Sequence, residues 1–114
     1  MNTVRTNAFV YKICDEYEKA KKKHPRFADM MMTPGEVLVA PRCAKDAQRA
    51  NDEKRPEDIT AKDVFQEEFL EALAEYANGN HNECLDKLAQ CGAVILRMMD
   101  FVADERDGNK TEAE

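Results

Sequence analysis

Glycine and proline are scarce here, four of each in 114 residues, which leaves room for long helices. Cys14, Cys43, Cys84 and Cys91 show no CxxC spacing, so zinc is not indicated. Cys84 and Cys91, seven apart on the apolar side of one helix, are expected to be buried, reduced thiols. No stretch approaches the ~20 apolar residues of a membrane span. The N-terminus, MNTVRTNAFVYKICDEY, lacks the continuous apolar core of a signal peptide, so the expected location is cytoplasmic. Basic surface is short too: the net charge of −6 argues against binding a nucleic-acid polymer. Neither His24 nor His81 has a paired partner, which excludes a Ser-His-Asp or Cys-His arrangement. No internal repeat is visible.

What is present is 43% hydrophobic and 35% charged, the balance of a folded globular chain. The length suits one domain, taken as 1–105, with a flexible tail over 106–114. Asn7 could cap a first helix running to about His24, with Phe9, Ile13, Tyr17 and Ala20 facing a core. Lys19, Lys21, Lys22 and Lys23 crowd its end, where cations suit the helix dipole. Residues 25–40 read as irregular: Thr33-Pro34-Gly35-Glu36 is a turn signal, and Val37, Leu38 and Val39 read as extended. A short helix over 41–51 would start with Pro41 in its first turn. Its Arg42, Lys45 and Arg49 share a face, either solvated or meeting phosphates.

The centre of the chain is 64–102, two helices joined at Asn78-Gly79-Asn80. Thr60-xx-Asp63 approximates a capping box for the first. Its apolar stripe is Phe65, Phe69, Leu73 and Tyr76. The second runs to about Asp104 with the stripe Cys84, Leu88, Cys91, Ile95, Met98 and Val102. Leu88 and Ile95 are expected to be fully buried. The fold class is therefore all-α, a small helical bundle around an antiparallel hairpin. Apolar residues outside the second stripe (Ala89, Ala93, Val94 and Phe101) favour a subunit interface.

Glu68, Glu71 and Glu75 share one helix face; Glu83, Asp86 and Gln90 share another. If these faces meet, Glu68, Glu71, Glu83 and Asp86 converge. Without a cation such carboxylates repel, and Glu71→Gln would then stabilise the metal-free protein. Magnesium, which takes hard oxygen ligands, is the natural counter-ion, with manganese as its substitute.

The pattern Glu67-Glu68-Phe69-Leu70-Glu71, followed after a turn by Glu83-Cys84-Leu85-Asp86, resembles that of the MazG-like all-α nucleotide pyrophosphohydrolases. The resemblance covers mainly residues 60–102. It implies an oligomeric helical bundle, a dimer or tetramer, that binds Mg²⁺ and splits a nucleoside triphosphate into monophosphate and pyrophosphate. Glu68, Glu71, Glu83 and Asp86 would then hold the metal. Glu67 or Glu71 would orient the attacking water, and Arg97, Lys45 or Arg49 would offset phosphate charge. A second register sets Lys87 and Gln90 in place of the acid pair, which would leave the site degenerate. The alternative function is a non-catalytic helical module that captures a nucleotide or a protein.

Overall fold

The computed structural model describes residues 3–108, and among these every element is helical, as the periodicity predicts. The helices are α1 (Thr3–Lys23), α2 (Pro34–Asp52), α3 (Ala61–Ala77) and α4 (His81–Asp107). A single 3-10 turn, Pro56–Asp58, lies between α2 and α3.

Two boundaries differ from expectation, and both have a local cause. Helix α1 begins at Thr3, so Asn7 lies within it rather than capping it. The irregular stretch ends at Thr33 instead of residue 40. Thr33-Pro34-Gly35-Glu36 is a helix start rather than a turn. The Thr33 hydroxyl accepts from the Glu36 N–H at 3.2 Å, and the Glu36 carboxylate accepts from the Thr33 N–H at 2.8 Å. Pro34 occupies the first turn, where its missing N–H costs nothing. Val37, Leu38 and Val39 are therefore helical, and Pro41 sits inside α2 rather than at its start.

The hairpin forms as read. Thr60 and Asp63 exchange backbone and side-chain bonds in a complete capping box at the start of α3. At its end Asn80 N–H donates to Glu75 C=O and Gly79 N–H to Tyr76 C=O. Gly79 takes φ 78°, the left-handed conformation such a terminus requires. Helix α4 continues through Asp107, so Arg106 and Asp107 are helical; positions 109–114 of the expected tail lie outside the described residues.

Two compact units emerge: one joins residues up to Met31 with those from Leu96 on, and the other is Met32–Ile95. In the first, Arg5 on α1 clasps α4, with Nη1 2.8 Å from Asp104 and 3.2 Å from Asp100, and Nη2 donating to the Asp100 carbonyl. Ala103 is its one buried residue among those described. In the second, α3 is flanked by α2 and the first half of α4. Its centre is built from small side chains: Ala40, Ala44, Ala72, Cys84 and Cys91 are buried. Leu88 is only half-buried and Ile95 is 37% exposed, against expectation. The small Cys84 and Cys91, rather than the larger side chains of the stripe, occupy the innermost line of α4.

Candidate functional site

Helix α3 is tied to its neighbours at two places. At its N-terminus, Asn51 from the end of α2 donates to the Asp63 carbonyl (3.1 Å) and to Glu67 Oε1 (2.8 Å). Lys54, just beyond α2, reaches Asp63 Oδ2 at 2.6 Å. Asp63 is buried yet charged. The Lys54 ammonium and the Thr60 backbone N–H hold its carboxyl down at about 2. Glu67 is thus half-buried and engaged by Asn51 rather than held toward a metal.

One turn further along, Glu68 and Glu71 face α4. Lys87 Nζ donates to Glu71 Oε1 at 3.0 Å and lies 3.9 Å from Glu68 Oε1. All three side chains are at most 30% exposed. The bond to Glu71 raises the Lys87 pKa against a smaller opposing effect of burial. Glu68 Oε1 is itself buried and receives no hydrogen bond. Next to this group lies Cys91, whose thiol burial, then the Glu68 charge, pushes upward. It stays protonated and is a poor nucleophile.

Lys87 rather than Glu83 or Asp86 takes this position because of the α4 register. Cys84, Lys87, Leu88 and Cys91 fall at i, i+3, i+4 and i+7, the face turned to α3. Asp86 precedes Lys87 by one residue and so points ~100° away. Glu83 and Asp86 are both exposed. Among the described residues no three His, Cys, Asp or Glu side chains gather closely enough to hold a metal ion. Of the second register, Lys87 stands against Glu68 and Glu71, whereas Gln90 is exposed with Glu83 and Asp86.

Neither Lys45 nor Arg49 pairs with this group among the described residues. Lys45 and Arg49 are exposed on α2, and Arg49 pairs locally with Asp46 at 3.5 Å. Arg97 is exposed on α4 and belongs to the other compact unit. Glu75 accepts from Asn80 across the hairpin turn. Asn51 and Lys54 escaped the sequence reading, because nothing local marks a polar residue at a helix end as the partner of a later helix. Lys87 did leave a signal: it is a lysine inside an apolar stripe, and such a residue needs an anion from the facing helix.

As arranged, two carboxylates and one ammonium make a half-buried ion cluster with a net charge of −1. It can position α4 against α3, and it can accept a further donor at Glu68. As it stands it does not offer a divalent cation a complete set of ligands. Compared with family models, curated proteins and solved structures, the chain matches none.

Proposed function

We propose that this chain is a non-catalytic helical binding module of the MazG-like type, in which Lys87 holds the place of a divalent cation. The observation that supports it is the Lys87 ammonium seated on Glu71 and beside Glu68. A magnesium ion at these carboxylates would have to displace that ammonium or sit against it, and like charges at such range repel strongly in a partly desolvated setting. The apolar Leu38, Val39 and Leu85 are exposed on α2 and the first half of α4. Apolar side chains of this size fit a protein partner, and that partner is a second copy of this chain.

A second reading, the magnesium-dependent pyrophosphohydrolase, keeps one observation in its favour. Glu68 Oε1 is a buried anionic oxygen without a hydrogen bond, the kind of atom a hard cation takes. That reading requires Lys87 to swing away. One experiment separates the two. The parent protein is incubated with Mg²⁺ or Mn²⁺ and a panel of nucleoside triphosphates, and its melting is followed with EDTA and with metal. The module reading expects no pyrophosphate and no metal-dependent shift. It also expects the variant Lys87→Glu to gain such a shift. Pyrophosphate released by the parent and lost in Glu71→Gln would return the hydrolytic reading. Sedimentation equilibrium at micromolar concentration tests self-association, and a pure monomer would count against the named partner.

A further inference from the structure

The end of α1 carries a feature that the acidic site does not use. Between residues 19 and 27, KAKKKHPRF, stand five Lys and Arg and no acid, in a chain of net charge −6. Lys19 pairs with Glu16 at 3.6 Å, and Arg26 pairs with Asp29. Lys22 and Lys23 pair with no carboxylate among the described residues, and Lys21 lies over the Tyr17 ring at 5.2 Å from its centroid. The helix dipole accounts for cations in the last turn. It does not account for the aromatics that accompany them. Tyr17 is 61% exposed and Phe27 94% exposed. The chain turns at His24-Pro25 and brings Arg26 and Phe27 back beside α1. The result is an open hollow of about 670 Å³ lined by Tyr17, Ala20, Lys21, His24, Pro25, Arg26 and Phe27.

We propose that this hollow binds single-stranded nucleic acid, taking one unpaired base against Tyr17 and Phe27 and its flanking phosphates on Lys21, Lys22, Lys23 and Arg26. The volume is within the range of small-ligand sites and admits a nucleotide-sized group. Exposed aromatic rings beside a cationic track are how a strand is held without reading its sequence: every base has a π-face, and the cations follow the backbone. A duplex keeps its bases stacked and offers these rings nothing. An acidic peptide would satisfy the lysines and leave both rings in water, so the aromatics favour a nucleic acid. The charge argument against nucleic acids concerns the whole surface, whereas this patch is local. The proposal is independent of the acidic site and stands whichever reading of that site holds.

The test uses the full chain and a fluorescently labelled, roughly ten-nucleotide pyrimidine strand, read by anisotropy in low salt. Saturable binding is expected, weakening with salt at a slope of about −0.7 per phosphate neutralised. Lys22→Gln with Lys23→Gln should make that slope shallower by about 1.4. Phe27→Ala or Tyr17→Ala should each weaken binding ~5- to 150-fold, the range for one stacked base, and leave the slope unchanged. Tyr17→Phe keeps the ring and should keep the affinity. All these positions are exposed, so circular dichroism should show an unaltered fold. A mononucleotide should compete only in large excess. The proposal is overturned by no binding, by equal affinity for the matching duplex, or by alanine variants that bind like the parent. It is equally overturned if polyglutamate or phosphatidylserine vesicles displace the strand at matched charge, which would reassign the patch to acidic peptides or to a membrane surface.

Discussion

Helix α3 holds two lysine–carboxylate contacts, at Asp63 and at Glu71 about two helical turns further on, and they are built differently. At the Asp63 carboxylate both partners are close in the chain: Thr60 is three residues away and Lys54 nine. Both contacts point at one oxygen, Oδ2, and the acid is pulled down to about 2. At Glu68 and Glu71 the cation comes from another helix, 16 residues beyond Glu71, and one carboxylate oxygen is left without a hydrogen bond. The first contact completes a helix start. The second is a cluster with spare acceptor capacity, placed where facing helices could exchange one cation for another. A fully supplied ion pair reads as structure, and an under-supplied one is where binding chemistry is to be sought.

The sharpest way to break this comparison is to reverse the charge at Lys87. Lys87→Glu sets a third carboxylate beside Glu68 and Glu71. Metal-free stability should fall by roughly 2–3 kcal/mol, less than a fully buried pair loses, because these side chains keep some solvent. Added Mn²⁺ should restore part of it, as any ligand of the folded state does. Chemical denaturation with and without metal checks both. Glu71→Gln sharpens the point through its sign. Four converging carboxylates without a counter-ion would make it stabilising. With Lys87 hydrogen-bonded to Glu71, it should instead cost ~1 kcal/mol.

How far the sequence could be read follows from the same residues. The hairpin was legible because its punctuation is local: Thr60 with Asp63 at one end of α3, Asn78-Gly79 at the other. The start of α2 was misread for a related reason. Thr-Pro-Gly-Glu satisfies both a turn and a capping box, and only the Val37–Ala40 segment that follows decides between them. The acidic site was half legible. Spacing placed Glu68 and Glu71 on one face correctly, yet it could not fix which face of α4 meets them. That choice depended on whether the flank of the apolar stripe that carries Lys87 or the face that carries Glu83 and Asp86 turns toward α3, a matter of close packing between helices. A one-residue change in that register replaces Asp86 by Lys87 and inverts the charge of the site.

Smaller effects should come from the other contact. Thr60→Ala removes the hydroxyl that accepts from Asp63 N–H and should cost about 1 kcal/mol in equilibrium unfolding. The two contacts should also part along the pH scale. Asp63 is held below its ordinary 3.8, so its contribution is complete above about pH 4 and disappears as pH falls through about 2. Lys87 is raised above its ordinary 10.5, so its contribution is complete below that value and is lost as pH climbs through the higher folded one. Asp63→Asn should therefore flatten the acid limb of the stability curve and leave the alkaline limb alone. Lys87→Met should do the opposite.

The smallest effect is expected at Glu83 and Asp86, and it completes the comparison. Both are exposed, and neither takes part in an ion pair or side-chain hydrogen bond among the described residues. Glu83 lies in the first turn of α4, where an acid interacts favourably with the helix dipole. Glu83→Gln should thus cost a few tenths of a kcal/mol at low ionic strength and less in salt. Asp86→Asn should stay within about 0.5 kcal/mol of the parent. Neither change should alter the response to Mn²⁺, whether made in the parent or in Lys87→Glu. The last condition is the discriminating one. If Asp86→Asn abolished the metal rescue of Lys87→Glu, α4 would have to turn by about one residue when a cation enters, bringing Asp86 to the face that Lys87 now holds. Melting curves of Lys87→Glu and of Lys87→Glu with Asp86→Asn, taken with EDTA and with Mn²⁺, would show it. Equal metal shifts in the two would fix the register described here, with position 87 rather than 86 set against Glu68 and Glu71.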